Sequence, residues 1–409
     1  MPTVQPSRAQ PKSIWGYDTR SWRSAAVMRA IDALNPLKKE RPFAWGEPCV
    51  VSSIAGLGDL FIHLPLISGA IEHGRKIGCD VAVALRPSHV EIGRRCGWNV
   101  IPFDNGLEDF FKNPARFWST EFFKLIRHTR ARHPALWIDL TGNALSAVAI
   151  KLAGAKRLAS RITRGGRSLV DHRLPHSIQE NEYGNRLRVA DFLGCQIDAE
   201  LDRKIEVRPS CAFLDSVVLC LTTASRWKNW PLANFLALIK RFPSTRFTVV
   251  GFRREVLPEE APELGTLSAS PNVHDCLDRL SACELVDLIA CCRAVISNDT
   301  SAAHIANFFG KPGAVLFGPV SPHTFAMPGG LRVFHDSTCP LHPCVQWRCD
   351  NQANWCMRKI GVDDVAAHLA TVLEQTGVPQ PLIQNTERRG APPRLATASA
   401  TSSRAAALG

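Results

Sequence analysis

Three residues with chemically useful side chains, Asp299, Thr300 and His304, lie at the junction of two apolar segments. Residues 293–298 read as a buried strand, and the segment after Thr300 reads as a short helix that Gly310 ends. In open α/β sheets ligands bind beyond the carboxyl ends of strands, and the unpaired N–H groups of a helix N-terminus attract phosphate. His304 lies four residues after Thr300, so both side chains share one face of the first turn. We therefore predict a phosphate- or sugar-binding turn, with simple helix capping as the alternative.

A second candidate is Asp59, which follows another apolar run through the turn Gly56-Leu-Gly58. The turn is similar to the start of a dinucleotide-binding fingerprint, but Phe61 stands where the third glycine is required. A carboxylate beside the turn would also repel a pyrophosphate. We predict that Gly58 lets the backbone approach a substrate closely and that Asp59 is a general base at the mouth of a cleft. The alternative is a carboxylate that only caps the following helix.

A third loop runs from Thr222 to Pro231 and holds Lys228 between two tryptophans. It follows the apolar run 215–221, and Pro231 is suited to the first position of a helix. An ammonium just before a helix N-terminus, at the carboxyl end of a strand, can meet a phosphate. We predict that Lys228 binds substrate together with the hydroxyls of Thr222 and Thr223, and the alternative is an ordinary surface lysine.

Four of the fourteen cysteines fall within residues 339–356. Four thiolates satisfy tetrahedral zinc or iron, although the spacing is not the paired Cys-x2-Cys of common zinc sites. We predict a structural metal ion, with buried free thiols as the alternative. Four protein ligands leave no open coordination position, so we expect no catalytic role for this metal. The predicted ligands are Cys339, Cys344, Cys349 and Cys356, and His335 or His342 could replace one of them.

Strand-like and helix-like segments alternate along the chain, which is typical of parallel sheets with right-handed crossovers. A polar, Pro-containing break at 203–212 separates two such series. The sequence therefore predicts an α/β fold with two Rossmann-like domains, at 46–205 and 212–377, and a substrate cleft between their facing strand ends. The predicted strands are 48–54, 80–85, 135–140, 215–221, 246–251 and 293–298; the predicted helices are 60–77, 144–152, 231–241, 284–292 and 363–375.

The composition is that of an ordinary globular protein, with 409 residues of which 45% are hydrophobic and 21% charged. No apolar run approaches the roughly 20 residues of a membrane span. The N-terminal segment also lacks the apolar core of a secretory signal. We therefore expect a cytoplasmic protein.

Most of the net charge of +12 lies in the two terminal segments. Residues 1–45 hold eight Lys/Arg and three Asp/Glu, and residues 379–409 hold four Arg and one Glu, which gives +5 and +3. We predict a basic N-terminal extension over 1–45 with an amphipathic helix at 20–34, and a disordered tail over 378–409. Because the charge does not lie on the folded body, nucleic acid is not an expected partner. The expected partner of the basic segments is an anionic membrane surface, and the alternative is a solvated tail with no partner.

Taken together, the three loops resemble glycosyltransferase family 9, which contains the lipopolysaccharide heptosyltransferases. The resemblance covers about residues 48–375, and the order and spacing of several motifs make it specific. The strand at 137–142 is similar to a further landmark of the family. The motifs are Gly58-Asp59 followed by an apolar helix with Pro65, Lys228-Asn-Trp-Pro231, and Asp299-Thr300 with His304 followed by Phe317-Gly-Pro319.

The resemblance implies the GT-B arrangement, in which two Rossmann-like domains face each other across a cleft. It also implies an inverting sugar transfer that needs no cofactor for catalysis. The implied donor is a nucleotide-diphosphate sugar such as ADP-heptose, and the implied acceptor is a lipopolysaccharide core at the cytoplasmic face of the inner membrane. Some relatives that modify autotransporter proteins have a four-cysteine iron site, and the cysteine cluster at 339–356 is similar to it in density and position.

The resemblance further assigns roles to individual residues. Asp59 matches the general base, Lys228 matches the residue that binds the donor phosphates, and Asp299 matches a residue at the donor sugar. Thr300, with its neighbours Ser301 and His304, matches the cradle of the diphosphate.

Ser301 departs from the family pattern, which has glycine after the Asp-Thr pair. Its side chain would either crowd the phosphate or donate one more hydrogen bond to it. Three functions therefore stay open: heptosyl transfer to a lipopolysaccharide-type acceptor, heptosyl transfer to a protein hydroxyl, and sugar-nucleotide binding without catalysis. A nicotinamide-dependent oxidoreductase is disfavoured because neither glycine-containing turn fits a dinucleotide.

Overall fold

The structure, a computed structural model, describes Ala33 and residues 42–376 apart from 105–119, 143, 162–166, 178, 210–212, 343, 345–348, 350 and 353–354. The predicted helix at 20–34, except Ala33, and the tail at 378–409 lie outside the described residues. Their predicted contact with a membrane surface stays a prediction. None of the helices in the described ranges is long and apolar enough to cross a bilayer.

The first half of the chain forms a parallel six-stranded sheet with the strand order β3-β2-β1-β4-β5-β6. This is the order of a Rossmann sheet, in which the chain reverses direction between β1 and β4. Strands covered on both faces read as continuous apolar runs rather than alternating ones, and β1, β2 and β4 are buried throughout. The strands are β1 Cys49–Ser53, β2 Val81–Leu85, β3 Val100–Pro102, β4 Leu136–Asp139, β5 Arg157–Ser160 and β6 His172–Arg173.

The second half repeats the same plan with the order β12-β11-β10-β7-β8-β9, again all parallel. Here the reversal lies between β7 and β10. Two Rossmann-type sheets of this kind confirm the predicted fold class, although the predicted domain limits at 46–205 and 212–377 stay a prediction. The strands are β7 Ser216–Cys220, β8 Arg246–Val250, β9 Val273–Asp275, β10 Ala294–Asn298, β11 Gly313–Phe317 and β12 Arg332–His335.

Helices connect the strands and cover the sheets. Those that position the site are α1, which follows β1, α5, which precedes the second half, and α10, which follows β10. In chain order the helices are α1 Leu57–Lys76, α2 Val90–Arg95, α3 Thr120–Arg130, α4 Ala144–Leu152, α5 Glu182–Leu193, α6 Leu201–Lys204, α7 Leu232–Arg241, α8 Ala261–Ser268, α9 Ala282–Cys291, α10 Ser301–Phe308, α11 Pro322–Phe325, α12 Cys356–Lys359 and α13 Val362–Thr376.

The two halves pack against each other through α1 and α10. The ring centroids of Phe61 on α1 and Phe308 on α10 are 5.2 Å apart, edge to face. One hydrophobic cluster includes buried residues of both helices and continues to α9. Nearby, Arg95 of α2 donates to Asp287 of α9 over 2.7 Å, and both side chains are nearly buried. The two sheets are therefore held in one fixed relation around the cleft.

The predicted elements match the observed ones with two informative differences. Helix α1 begins at Leu57 rather than at residue 60, so Asp59 lies inside its first turn. Pro231 occupies the N-cap position just before α7 rather than the first helical position. Helix α5 was absent from the predicted elements, and it contributes side chains to the candidate site.

Candidate active site

The predicted site residues lie at the two points where the sheets reverse their strand order. Asp59 follows β1, next to the end of β4, and Lys228 and Asp299 follow β7 and β10. Such a switch point opens a crevice because the chain leaves the two neighbouring strands in opposite directions. The fold therefore gives each half one crevice, and the predicted residues line both.

Lys228 and Asp299 form a nearly buried ion pair in the second half. Lys228 Nζ lies 2.7 Å from Asp299 Oδ2, and the two side chains are 13% and 5% exposed. The predicted alternative of an ordinary surface lysine is therefore wrong for Lys228. The pair fixes an ammonium beside the first turn of α10.

Asn298 explains why the Lys228 loop keeps its place. Its side chain is fully buried, accepts the backbone N–H of Trp230, and donates to the carbonyls of Cys220 and Leu221. Trp230 in turn donates its indole N–H to the carbonyl of Ile360. The end of β10 thus anchors the loop after β7, so that Lys228 and Asp299 are positioned together.

Thr300 begins α10 as its N-cap with an extended backbone, φ −153° and ψ −178°. Its side chain accepts no hydrogen bond from the helix N–H groups, so its hydroxyl does not act as a cap. Thr300 and Ser301 are partly exposed, whereas Asp299 and His304 are buried. Hydroxyls and first-turn N–H groups at a helix start suit an anionic ligand.

Asp59 lies in the first turn of α1, where Oδ2 accepts the backbone N–H of Gly56 over 3.2 Å. The capping contact predicted as the alternative is therefore present, and it uses only one of the two carboxylate oxygens. Burial raises the pKa of Asp59, and the negative charge of Glu182 raises it further. The Gly56 N–H and the positive charges of Arg161 and Arg86 lower that pKa in part. A carboxyl group with a raised pKa is a stronger base once it is ionised.

Gly58 brings the starts of α1 and α10 into contact. A Cβ atom at Gly58 would lie 2.8 Å from His304 Cδ2 and 3.3 Å from Ser301 Cα. The close approach predicted for this glycine is thus observed, but it is an approach to the other half of the protein. It places Asp59, one residue later, on the helix whose start touches the start of α10.

His304 links the halves from the other side. Its Nδ1 lies 2.9 Å from the hydroxyl of Tyr183 on α5. Burial lowers the pKa of His304 to about 4, and Lys228 lowers it while Asp299 raises it. The imidazole is therefore neutral near pH 7 and acts as a hydrogen-bonding group rather than a cation. A cavity of about 180 Å³ lies behind it, bordered by Phe61, Tyr183 and Arg186 among others.

Thr222 and Thr223 use their hydroxyls inside the protein. Thr222 Oγ1 donates to Glu255 Oε2 over 3.0 Å and accepts the backbone N–H of Phe252. Thr223 Oγ1 donates to the carbonyl of Ser225 over 2.8 Å. Both residues are buried, so their predicted contact with substrate requires these hydroxyls to exchange partners. The substrate-binding role of these threonines stays a prediction.

The cysteine cluster at 339–356 holds four free thiols that influence one another. Burial raises the pKa of Cys356 to about 11, and Cys349, Cys344 and Cys339 raise it further. Within the described part of the chain, no group of three or more His, Cys, Asp or Glu side chains is placed to hold a metal ion. The rings of His335 and His342 lie 4.4 Å apart. The structural metal stays a prediction for metal analysis of the purified protein.

Several residues next to the candidate site were missed from the sequence, above all Tyr183, Arg161 and Glu182. They belong to α5 and to the end of β5. One pattern could have located α5: Asn181 is an N-cap whose side chain accepts the backbone N–H of Tyr183. Nothing in the local sequence shows that this helix start would face residues of α10.

Comparison with known proteins relates part of this chain to one family. The sequence profile of "Glycosyltransferase family 9 (heptosyltransferase)" matches residues 196–352, which contain Lys228, the Asp299–His304 turn and three of the four clustered cysteines, but not Cys356. Over these residues the chain is similar to glycosyltransferase family 9. The matched segment lies mainly in the second half of the chain.

Two curated proteins illustrate the relationship. Lipooligosaccharide heptosyltransferase 2 of Haemophilus influenzae is 33% identical over 108 residues, 24% of this chain and 29% of that protein. Lipopolysaccharide heptosyltransferase 1 of Pseudomonas aeruginosa is 30% identical over 129 residues, 31% of this chain and 35% of that protein. The alignments thus span about a third of the length of these relatives.

The fold similarity extends further than the sequence similarity. The Escherichia coli heptosyltransferase WaaC, solved with ADP-2-deoxy-2-fluoro heptose, superimposes with a TM-score of 0.59 and 15% identity. The superposition covers 81% of this chain and all of the WaaC chain. The fold of WaaC is therefore shared by both halves of this chain.

Proposed function

We propose that this protein is an inverting glycosyltransferase that moves a heptose from a nucleotide-diphosphate donor to an acceptor hydroxyl. One observation carries the proposal: Gly58 brings the start of α1, which bears the raised-pKa carboxylate of Asp59, against the start of α10, where Lys228 is fixed by Asp299. The first half supplies a base and the second half supplies a site for an anionic leaving group. These are the two groups that an inverting transfer requires.

The donor half stabilises the charge that develops on the leaving nucleoside diphosphate. Lys228 is held by Asp299, so its ammonium is positioned before the substrate arrives. The N–H groups and dipole at the start of α10 add favourable interactions with the same oxygens. Groups that are fixed before the reaction stabilise a transition state without reorganising.

The acceptor half removes the proton from the attacking hydroxyl. Asp59 takes this proton as the acceptor oxygen bonds to the anomeric carbon and the bond from that carbon to the diphosphate breaks. Base and leaving group then lie on opposite faces of the sugar, which inverts the anomeric configuration. Holding both reactants between the halves contributes through proximity and orientation.

The names of the relatives support the choice of sugar and acceptor. The H. influenzae and P. aeruginosa proteins are heptosyltransferases of lipooligosaccharide and lipopolysaccharide, and WaaC was solved with an ADP-heptose analogue. We extend these substrates to this chain: ADP-heptose as donor and a lipopolysaccharide core as acceptor. The enzyme would then act at the cytoplasmic face of the inner membrane.

The direct test is a transfer assay with ADP-heptose and two acceptors, a lipopolysaccharide core that lacks heptose and an autotransporter protein. Mass spectrometry should show one heptose added to the core, with release of ADP. Transfer only to the protein would favour the protein-modifying alternative. Binding of ADP-heptose without transfer, reversed by Ser301→Gly, would show that Ser301 has silenced the site.

A further inference from the structure

A buried polar network lies next to Asp59 and takes no direct part in the transfer. Arg161, at the end of β5, is 4% exposed at its side chain, and Glu182, at the start of α5, is 5% exposed. Arg161 Nη1 donates to Glu182 Oε2 over 2.7 Å. Glu182 Oε1 also contacts His176 Nε2 and Asn185 Nδ2, each at 3.2 Å. Such a cluster is expensive to bury unless its charges are paired.

His63 connects this network to the helix of the base. It lies on α1 four residues after Asp59, so the two side chains share one face of the helix. Arg161 Nη2 lies 3.3 Å from His63 Nε2, and Ser53 Oγ lies 3.0 Å from His63 Nδ1. A guanidinium can only donate, so His63 Nε2 accepts from Arg161 and Nδ1–H donates to Ser53. Burial lowers the pKa of His63 to about 3, which is consistent with a neutral ring.

The arrangement keeps a guanidinium close to the base without letting the two pair. Glu182 occupies Nη1 of Arg161 and His63 occupies Nη2. Among the described residues, Arg161 makes no ion pair with Asp59 within 4.0 Å. A direct Arg161–Asp59 pair would lower the pKa of Asp59 and make it a weaker base.

We propose that Glu182 is a positioning residue that holds Arg161 away from Asp59 and so keeps Asp59 available as the base. The proposal rests on the proposed function, because it gives Asp59 that role. Glu182 acts through Arg161 and through its own charge and does not contact the reacting atoms.

The other charged groups near Asp59 have partners of their own, so they do not take over the role of the Arg161–Glu182 pair. Arg86, at the end of β2, lowers the pKa of Asp59 through its positive charge, but its Nε–H donates to the carbonyl of Ile54. Arg186 of α5 donates to the carbonyl of Ile62 on α1. His304 faces α1 from α10 and is neutral, while Lys228 and Asp299 pair with each other. Helix α6 meets α1 near Ser68, far from Asp59, where Asp198 pairs with Lys204.

The test is the pH dependence of kcat in Glu182→Gln and in the double variant Glu182→Gln/Arg161→Gln. The single change frees Arg161 to pair with Asp59, so the acid limb of kcat should move to lower pH and the plateau should fall about tenfold. The double change removes both charges, whose effects on Asp59 oppose each other. It should return the acid limb to its wild-type pH and bring the plateau value of kcat to within about threefold of the wild type.

The matched control is Glu180→Gln, which removes the same charge from a half-exposed side chain paired with Arg188 on the same segment. An acid limb that does not move in Glu182→Gln, or a double variant no more active than the single one, would overturn the proposal. If Glu182→Gln does not fold, the double variant decides alone: a wild-type limb supports the proposal and lost activity overturns it. Transfer that survives Asp59→Asn would instead refute the proposed function itself.

Discussion

Lys228 and Asp299 are joined across the reversal point of the second sheet, with Nζ and Oδ2 only 2.7 Å apart. The two residues leave the ends of neighbouring strands, β7 and β10, and Asn298 ties the two loops together. The side chain of Lys228 is therefore held in place before a ligand binds. It is fixed at the start of α10, where a diphosphate is expected to bind.

Lys228→Met should weaken donor binding about 10- to 100-fold, because it removes one charge-assisted contact to phosphate. It should also destabilise the fold by about 3–5 kcal/mol, because Asp299 is left buried without its partner. The double variant Lys228→Met/Asp299→Asn should regain stability but not donor affinity. Titration calorimetry with ADP and denaturant unfolding measure the two effects. The exposed Lys240→Met is the control, and wild-type ADP affinity in Lys228→Met would contradict the assignment.

Gly58→Ala should push the two halves apart, since its Cβ would lie 2.8 Å from His304 and 3.3 Å from Ser301. We expect a loss of about 1–3 kcal/mol in the free energy of unfolding and a parallel loss of transfer. Gly265→Ala is a matched control within helix α8, because nothing lies within 4 Å of its added Cβ. That change should stabilise the protein by about 0.5–1 kcal/mol. Equal effects of the two substitutions on unfolding would show that the α1–α10 contact is not tight.

The strand ends were readable from the sequence because buried parallel strands appear as apolar runs that stop at a polar turn. That pattern located Asp59, Lys228 and Asp299 and the family that the chain resembles. It could not locate Tyr183 or Glu182, whose importance comes from contacts with distant parts of the chain: Tyr183 meets His304, which is 121 residues away. Nor could it show that the hydroxyls of Thr222 and Thr223 already have partners inside their own loop, because local geometry decides that choice.

Acid should destabilise the fold through its buried histidines. Burial lowers the pKa of His63 to about 3 and of His304 to about 4. The unfolded chain therefore binds more protons below about pH 6.5, and stability falls as the pH drops toward the folded pKa values. Each residue should contribute a loss of about 2 kcal/mol between pH 7 and pH 5.

The measurement is the free energy of unfolding in denaturant at both pH values for the wild type, for His63→Gln and for His128→Gln. His63→Gln should reduce the loss on acidification by about 2 kcal/mol. His128 is exposed, so His128→Gln should leave the loss as in the wild type. A loss that is the same in all three proteins would show that His63 is not held neutral.

The proposed mechanism depends most on Asp59 as the base that activates the acceptor. Asp59→Asn keeps the size of the side chain and a hydrogen-bond acceptor for the Gly56 N–H, but it cannot take the proton. The direct measurement is the single-turnover rate of heptose transfer together with the dissociation constant of ADP-heptose. We predict that transfer falls about 100- to 10,000-fold while the dissociation constant stays within about twofold. Transfer at the wild-type rate would contradict the role of Asp59 as the base. So would a loss of transfer that is explained entirely by weaker binding of ADP-heptose.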